Sequence, residues 1–124
     1  LAVGCWVDAL FFIVVCLFGT RRLFSGVVIR ALGPRGTLVN VSRGSVVDEA
    51  ALIAALRDGG LGAAALDVFW NEPNPDPALT ALPNVTLFPH HASGTVESRN
   101  AMAQLVVDNL AAFYAGRPLL TPVN

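Results

Sequence analysis

Short apolar runs alternate with turn-forming and amphipathic segments along the chain. Four of these runs are rich in aliphatic and β-branched residues and are bounded by glycine, proline or polar residues. Runs that are apolar throughout, rather than at every second position, are typical of strands inside a parallel sheet. The predicted strands are Leu10 to Cys16, Thr37 to Val41, Ala63 to Phe69 and Val85 to Phe88.

Two shorter amphipathic segments separate the first three strands. One is predicted to run from its N-cap Ser25 to about Leu32, and the other begins at its N-cap Asp48 and ends before Gly59. Residues 71–79, by contrast, contain three prolines, which favours a loop or a broken turn.

The longest helix is predicted over about Val96 to Ala115, capped by Thr95 and stopped by Gly116 and Pro118. A succession of strand, helix, strand, helix, strand, strand and helix indicates a parallel α/β sheet. One side of the last helix carries a mostly apolar stripe: Met102, Leu105, Val106, Asn109, Leu110 and Phe113.

Composition and charge argue against several classes of protein. The chain has 124 residues, enough for one modest domain with a core. Its net charge is −1 and its eight basic residues are all arginine, scattered along the sequence, so we expect no nucleic-acid partner. Cys5 and Cys16 lie in apolar surroundings without metal or redox spacing, which favours small core residues in a reducing, cytoplasmic compartment.

The apolar amino-terminal segment raises the alternative of a membrane anchor. Its uninterrupted run, Ala9 to Gly19, is shorter than the roughly 20 residues that a spanning helix needs, and Asp8 would lie inside any longer span. The segment also lacks the basic start of a signal peptide. We therefore expect a buried strand without membrane contact. The alternative is a membrane-anchored fragment, which would sediment with membranes.

Three polar residues each follow a predicted strand at its carboxyl end: Arg43, Glu72 and His90. Because these ends share one edge of a parallel sheet, we expect the three side chains to meet in one crevice. A guanidinium binds a carboxylate through two parallel hydrogen bonds, and an imidazole oriented by a carboxylate can transfer a proton. The set suits reduction of a 2-oxo acid, with Arg43 on the carboxylate, His90 protonating the keto oxygen and Glu72 supporting His90.

Each of these residues also has an ordinary structural interpretation. Arg43 or Glu72 can be a solvated loop residue, and His90 can be satisfied by backbone groups. His91 is expected to be a packing or surface residue whose side chain points away from His90, which argues against a shared zinc site. Asp67 closes a buried run and needs a partner, either a ligand amide or a neighbouring backbone N–H.

Three motifs, in one order and spacing, resemble those of the D-isomer-specific 2-hydroxyacid dehydrogenases. They lie in VNVSRGSVVDEAALIAALRDGGLGAAALDVFWNEP and LPNVTLFPHHASGT, and the helix ESRNAMAQLVVDNL and the tail PLLTPV suggest the glyoxylate/hydroxypyruvate reductase group. The resemblance covers about Leu32 to Val123. It implies an α/β fold, a partial Rossmann-type parallel sheet with flanking helices and a long C-terminal helix.

The same resemblance implies catalytic roles for three residues. Arg43 matches the family's substrate-binding arginine, and His90, directly after Pro89, matches the catalytic acid/base. Glu72, in a D-V-F-x-x-E-P motif, matches the acidic residue that pairs with the histidine.

Cofactor and partners are likewise implied by the resemblance. Asp67 matches the residue that binds the nicotinamide carboxamide, and the backbones of Val41 and Ser42, and less directly Ser93, match positions along the cofactor. The cofactor would be NAD or NADP, and the substrate a small 2-oxo or 2-hydroxy acid. Full-length relatives would be homodimers.

The chain departs from the family pattern near its beginning. It contains neither GxGxxG nor GxxxxGK[ST], and Leu17-Phe18 replaces the usual Thr-Pro pair. His91 stands where the family prefers an aliphatic residue. The family's substrate domain and its glycine-rich unit would precede residue 1. We therefore expect residues 1–94 to be the C-terminal half of a nucleotide-binding domain, and 95–124 to be a returning helix and tail that would pack on the absent domain.

These observations predict hydride transfer between a nicotinamide cofactor and hydroxypyruvate or glyoxylate. Without a glycine-rich turn for the cofactor diphosphate, the isolated chain is expected to be a weak or dead catalyst. The alternative is a non-catalytic interaction or regulatory fragment that retains the fold. Titration with NADH, followed by the fluorescence of Trp70, separates the two.

Overall fold

A computed structural model describes the backbone of residues 9–12 and residues 21–123 in full. The described chain contains four strands and four α-helices, with one 3₁₀ turn, Gly44–Val46, between the second strand and the second helix. The strands are β1 (Ala9–Phe12), β2 (Thr37–Asn40), β3 (Ala63–Leu66) and β4 (Val85–Leu87). The helices are α1 (Gly26–Ala31), α2 (Glu49–Arg57), α3 (Pro77–Thr80) and α4 (Val96–Tyr114).

The four strands form one parallel sheet in the order β1-β2-β3-β4, which confirms the predicted α/β class. Their register places Asn40, Leu66 and Leu87 in one row at the carboxyl end. The segments that follow these three residues therefore leave the sheet along the same edge. Those segments carry every candidate site residue up to His90.

Burial alternates along the two central strands, and the buried positions pack against the helices. Leu38 and Leu66 are almost fully buried together with Ile29 of α1 and Leu52 of α2. The alternate positions, such as Val39, are only partly buried. The third strand shows the same alternation, with Ala64 and Leu66 buried and Ala63 and Ala65 partly buried.

Some details differ from the sequence-based expectation. The third strand ends at Leu66 rather than Phe69, because the chain turns away once Asp67 has bonded to Asn40. The proline-rich stretch contains the helical turn α3, since Asp76 accepts a hydrogen bond from the Ala78 N–H and Pro77 fits the first helical position. The predicted features at 13–16, Cys5, Cys16 and Leu17-Phe18 lie outside the described residues.

The chain divides into two units, Leu1–His91 and Ala92–Asn124. In the second unit, the Asn109 side chain holds the C-terminal tail against α4. Its Nδ2 donates to Thr121 Oγ1 at 3.0 Å, and its Oδ1 accepts from the Leu120 and Thr121 N–H groups. The packing of residues 95–124 on another domain stays a prediction. No helix among the described residues is long and apolar enough to cross a membrane.

Candidate active site

The turn that presents Arg43 is shaped by a buried amide side chain. Asn40, the last residue of β2, is 1% exposed. Its Oδ1 accepts from the Ser42 N–H at 3.0 Å and its Nδ2 donates to the Arg43 carbonyl at 3.0 Å. Asn40 is not among the predicted site residues, although a polar side chain at the end of an apolar strand indicates a group that needs a hydrogen-bond partner.

Arg43 is exposed, and its Nη1 donates to the Ser42 carbonyl at 2.6 Å. A guanidinium has five N–H donors in a planar fork, so this single bond orients the group without exhausting it. The arrangement is compatible with binding a carboxylate from solvent.

The following residue brings the Arg43 turn against the segment that carries Glu72. Gly44 is buried, and a Cβ at this position would overlap the backbone of Phe69. Only glycine permits so close an approach. The Phe69 N–H in turn donates to Glu72 Oε1 at 3.1 Å.

Glu72 and His90 are in direct contact. Glu72 Oε2 lies 2.6 Å from His90 Nδ1, while Oε1 holds the Phe69 N–H. An ionised carboxylate only accepts hydrogen bonds, so this contact places a proton on Nδ1 and leaves Nε2 as the atom for proton exchange with a ligand. The His90 side chain is 47% exposed, which gives such a ligand access.

Asp67 binds the backbone of the segment that carries His90. Its carbonyl accepts from the His90 N–H at 2.9 Å, and its Oδ1 accepts from the His91 N–H at 2.7 Å. The backbone N–H, one of the two partners considered for this carboxylate, is in contact with it, and its contact with a ligand amide stays a prediction. His90 itself has a positive φ of 55°, a conformation that non-glycine residues seldom adopt and that is often found at functional sites.

A pocket of about 280 Å³ lies beside the histidine–glutamate pair. Its walls are mainly apolar and include Phe69, Pro73, Leu87 and Phe88, with Glu72 and His90 at its polar side. Apolar walls with a few convergent polar groups are typical of small-molecule sites.

The residues predicted to touch the cofactor occupy different places. Val41 and Asp67 lie side by side where β2 and β3 end, because the Asp67 N–H donates to the Asn40 carbonyl at 2.9 Å. Ser42, which is buried, follows Val41. Ser93 is exposed and belongs to the second unit, before α4.

Hydrogen-bond acceptors near these strand ends fit a carboxamide. The Ser42 carbonyl and the Asp67 carboxylate can each accept more than one hydrogen bond, and a carboxamide carries an NH₂ group that donates two. The acceptor set therefore fits the nicotinamide end of NAD or NADP. The glycine-rich motif GxGxxG, which binds the diphosphate at a helix N-terminus, does not occur in the 124-residue sequence.

The structure thus brings Glu72 and His90 together, with Arg43 linked to them through Gly44 and Phe69 rather than by a direct bond. Within residues 21–123 no group of three or more His, Cys, Asp or Glu side chains is placed to hold a metal ion.

Comparison with known proteins identifies the family. The sequence profile described as D-isomer specific 2-hydroxyacid dehydrogenase, NAD binding domain, matches residues 5–92. The match begins well before Leu32, where the sequence resemblance was placed.

Curated relatives and solved structures agree with this match. A 2-ketogluconate reductase of Gluconobacter oxydans is 48% identical over 122 residues, which are 98% of this chain and 39% of that protein. The glyoxylate/hydroxypyruvate reductase A HPR2 of Arabidopsis thaliana is 56% identical over 84% of this chain and 33% of that protein. The chain therefore spans a third to two fifths of the length of these relatives.

Among solved structures, a 2-hydroxyacid dehydrogenase from Ketogulonicigenium vulgare Y25 matches 95% of this chain and 37% of that chain, with 60% identity and a TM-score of 0.88. An NADPH-dependent glyoxylate/hydroxypyruvate reductase from Sinorhizobium meliloti, in complex with NADP and malonate, matches 94% of this chain and 37% of that chain, with 53% identity and a TM-score of 0.89. The chain belongs to the D-isomer specific 2-hydroxyacid dehydrogenases and matches the NAD binding domain of that family.

Proposed function

We propose that this chain contributes the catalytic half of a site that reduces a small 2-oxo acid, hydroxypyruvate or glyoxylate, to its 2-hydroxy acid with NADH or NADPH. The observation that carries the proposal is the 2.6 Å contact between His90 Nδ1 and Glu72 Oε2. That pair lies at the sheet edge where Arg43 is also presented. The names of the Arabidopsis and Sinorhizobium relatives support the choice of substrate class.

His90 is the proposed proton donor to the keto oxygen. The bound nicotinamide would supply a hydride to C2 of the substrate, and Nε2 of a protonated His90 would release one proton to the oxygen. The products are a 2-hydroxy acid and the oxidised cofactor. Glu72 holds Nδ1–H throughout, so the ring keeps the orientation that aims Nε2 at the substrate.

Arg43 is the proposed anchor for the substrate carboxylate. Its Nη1 bond to the Ser42 carbonyl holds the guanidinium at the strand end, and a bidentate contact from the same group would orient the 2-oxo acid. Val41, Ser42 and Asp67 are proposed to receive the nicotinamide end of the cofactor, with Ser93 as a further cofactor contact.

Low turnover is proposed for the 124-residue chain on its own, because most of the diphosphate binding in such folds comes from a glycine-rich turn. The assay is loss of reduced-cofactor absorbance with hydroxypyruvate at high chain concentration, with the product identified by chiral chromatography. Vigorous turnover would contradict the proposed weakness. Absence of any 2-hydroxy acid, together with absence of NADPH quenching of tryptophan fluorescence, would contradict the catalytic proposal and favour a regulatory fragment.

Two adjacent histidines supply a matched pair of variants for the proton donor. His90→Asn removes the ring that contacts Glu72, whereas His91→Asn keeps the backbone N–H that Asp67 binds. We expect residual turnover to fall about 10²-fold or more in the first variant and to stay within a factor of two or so in the second. Equal losses in both variants would contradict the assigned role of His90.

Malonate tests the carboxylate anchor without requiring turnover. Arg43→Gln should abolish the chemical-shift changes that malonate causes near residue 43, because the bidentate donor is lost. Arg35→Gln, at an exposed arginine in the turn before β2, is the control for the general loss of one positive charge. Unchanged malonate binding in Arg43→Gln would contradict this role.

A further inference from the structure

One residue that lies between the Arg43 turn and the Glu72–His90 pair has no role in the proposed function. Trp70 lies two positions before Glu72, and its indole Nε1–H donates to the Val47 carbonyl at 2.9 Å. Its backbone N–H donates to Glu49 Oε2 at 3.2 Å. Val47 directly precedes the N-cap Asp48, and Glu49 opens α2, so both partners belong to the segment that follows Arg43.

Two arginines approach the same indole ring. The guanidinium carbons of Arg21 and Arg22 lie 5.2 Å and 5.6 Å from a Trp70 ring centroid, within the range of cation–π attraction. The Arg22 N–H also donates to the Ser45 carbonyl at 2.9 Å. The stretch that follows Arg43 is therefore bonded both to the Arg22 backbone, at Ser45, and to the Trp70 indole, at Val47.

We propose that Trp70 and Glu49 are positioning residues that hold the Arg43 turn at a fixed distance from the Glu72–His90 pair. The contacts from Trp70 to Val47 and Glu49 are called the Trp70 latch. The consequence for substrate binding rests on the proposed function, because it requires that Arg43 and His90 act on the same 2-oxo acid. The coupling between the Arg43 turn and the Glu72 segment does not depend on the proposed function.

Geometry shows why a latch is needed at this place. Arg43 makes no direct bond to Glu72 or His90 among the contacts described. The van der Waals contact between Gly44 and Phe69 prevents the two backbones from moving closer, but it gives little resistance when they move apart. Directional hydrogen bonds from Trp70 resist that lengthening. A misplacement of about 1 Å between a carboxylate anchor and a proton donor is enough to lower the rate substantially.

Amide hydrogen exchange on the 124-residue chain tests the coupling directly. The reporters are the Val46 and Val47 N–H groups, which bond to Arg43 and Gly44 carbonyls, and the Phe69 N–H, which bonds to Glu72. Trp70→Phe keeps an aromatic ring for the arginines and removes the indole donor. We expect exchange at all three reporters to become about two- to tenfold faster, the range that one net hydrogen bond corresponds to.

Asp76→Ala is the matched control. The substitution removes a hydrogen bond to Ala78 in the same proline-rich loop, and among the described hydrogen bonds Asp76 has none with the Arg43 segment. We expect faster exchange around residue 78 and unchanged exchange at Val46 and Val47. Acceleration at Phe69 alone in Trp70→Phe, or no acceleration at any reporter, would overturn the latch.

Glu49 provides a second, independent variant if Trp70→Phe fails to fold. Glu49→Ala should accelerate the same reporters, and Glu49→Gln should restore slow exchange because its amide oxygen can still accept from the Trp70 N–H. Failure of Glu49→Gln to rescue would count against the hydrogen bond as the cause.

Malonate titration of the same variants links the latch to the site. Trp70→Phe should weaken malonate binding by about two- to tenfold, whereas Asp76→Ala should leave it unchanged. Coupled exchange with no malonate binding to the unmodified chain would count against the proposed function and leave the latch standing. Malonate binding that is equally tight in Trp70→Phe, with uncoupled exchange, would overturn the latch and leave the proposed function intact.

Discussion

Helices α2 and α4 begin in the same way but differ in what their apolar sides meet. Asp48 accepts from the Ala51 N–H at 3.1 Å, and Thr95 accepts from the Ser98 N–H at 3.2 Å, so each helix has a side-chain N-cap. In α2, four of nine residues are buried, whereas Ala112 is the buried residue of the 19-residue α4. The large apolar side chains of α4, such as Leu105 and Phe113, are 41% and 66% exposed.

This difference separates local from tertiary determinants of structure. Capping residues and apolar spacing determine where a helix starts and which side is apolar, and both helices satisfy them. Burial depends on which other elements are available, and in α2 these are α1 and the sheet. Stability in the described chain should therefore be concentrated around α2.

The largest expected effect comes from truncating one core side chain in α2. Leu52→Ala should lower the free energy of unfolding by about 2–5 kcal/mol, because Leu52 is 1% exposed within the core. Leu105→Ala in α4 should change it by less than about 0.5 kcal/mol. Urea unfolding monitored by circular dichroism measures both, and equal losses would show that the two helices are packed to a similar extent.

Substitution of glycine by alanine should be destabilising for different reasons in the two regions. Gly44→Ala should cost about 1–3 kcal/mol, because the new methyl group overlaps the Phe69 backbone. Gly116, after α4, has a φ of 65° and no atom within 4 Å of the place a methyl group would take, so Gly116→Ala should cost about 1 kcal/mol through backbone strain alone. The test compares urea unfolding of Gly44→Ala with the NMR line widths of residues 117–123 in Gly116→Ala. Displacement of Phe69 signals in the second variant would contradict this distinction.

Removal of either N-cap should destabilise the chain less than Gly44→Ala. The two variants should differ in how many residues are affected. Asp48→Ala should lower the unfolding free energy by about 1 kcal/mol, since α2 is part of the core. Thr95→Ala should instead appear as fraying at the first turn of α4, with little change in the unfolding of residues 21–91. Amide exchange resolves the two, and global destabilisation by Thr95→Ala would contradict the assignment.

The smallest expected effect is a dependence of stability on pH through α1 and α2. Arg30 donates to both carboxylate oxygens of Asp58 at 3.2 Å and 2.6 Å, and the Gly60 N–H donates to the same carboxylate. These bonds lower the pKa of Asp58, the Arg30 hydrogen bond most. The folded state then binds a proton less readily than the unfolded state, so the stabilisation is present above the unfolded pKa of about 3.9 and is lost as the pH falls through the lower folded value.

Both side chains of this pair are about half exposed, so salt should screen the effect. Asp58→Asn should flatten the acid limb of the curve of stability against pH, and Arg30→Gln should flatten it less, because the Gly60 contact remains. An unchanged acid limb in Asp58→Asn would show that other carboxylates control it.

The sequence predicts the order and type of elements well because those depend on nearby residues. The start of α2 and of α4 follows from Asp48 and Thr95, and the shared carboxyl edge follows from the parallel class. Helix α3 was not predicted, because three prolines in residues 71–79 favoured a loop. Asp76-Pro77 is nevertheless a helix-start signal.

Contacts between distant segments are where sequence-based reasoning stops. The pairing of Glu72 with His90 was anticipated by the family resemblance, and the structure brings the two side chains together. The hydrogen bonds of Trp70 reach Glu49 and Val47, 21 and 23 residues away in the sequence, and depend on how those segments fold. Those of Asn40 are local, to residues 42 and 43, and its place at the end of an apolar strand indicates that it needs a partner but not which one. The hydrogen bond from the His91 N–H to Asp67 also joins segments that are far apart in the sequence, and the position of Asp67 in an apolar run does not predict this partner.

The left-handed backbone at His90 has a practical consequence for anyone who replaces this residue. Asparagine, like histidine, tolerates a φ near 55°, whereas a β-branched residue such as valine does not. A loss of activity in His90→Val would therefore mix chemistry with a distorted main chain. Asparagine at position 90 separates the two, and a library of replacements there should be ranked by conformational tolerance before its kinetics are interpreted.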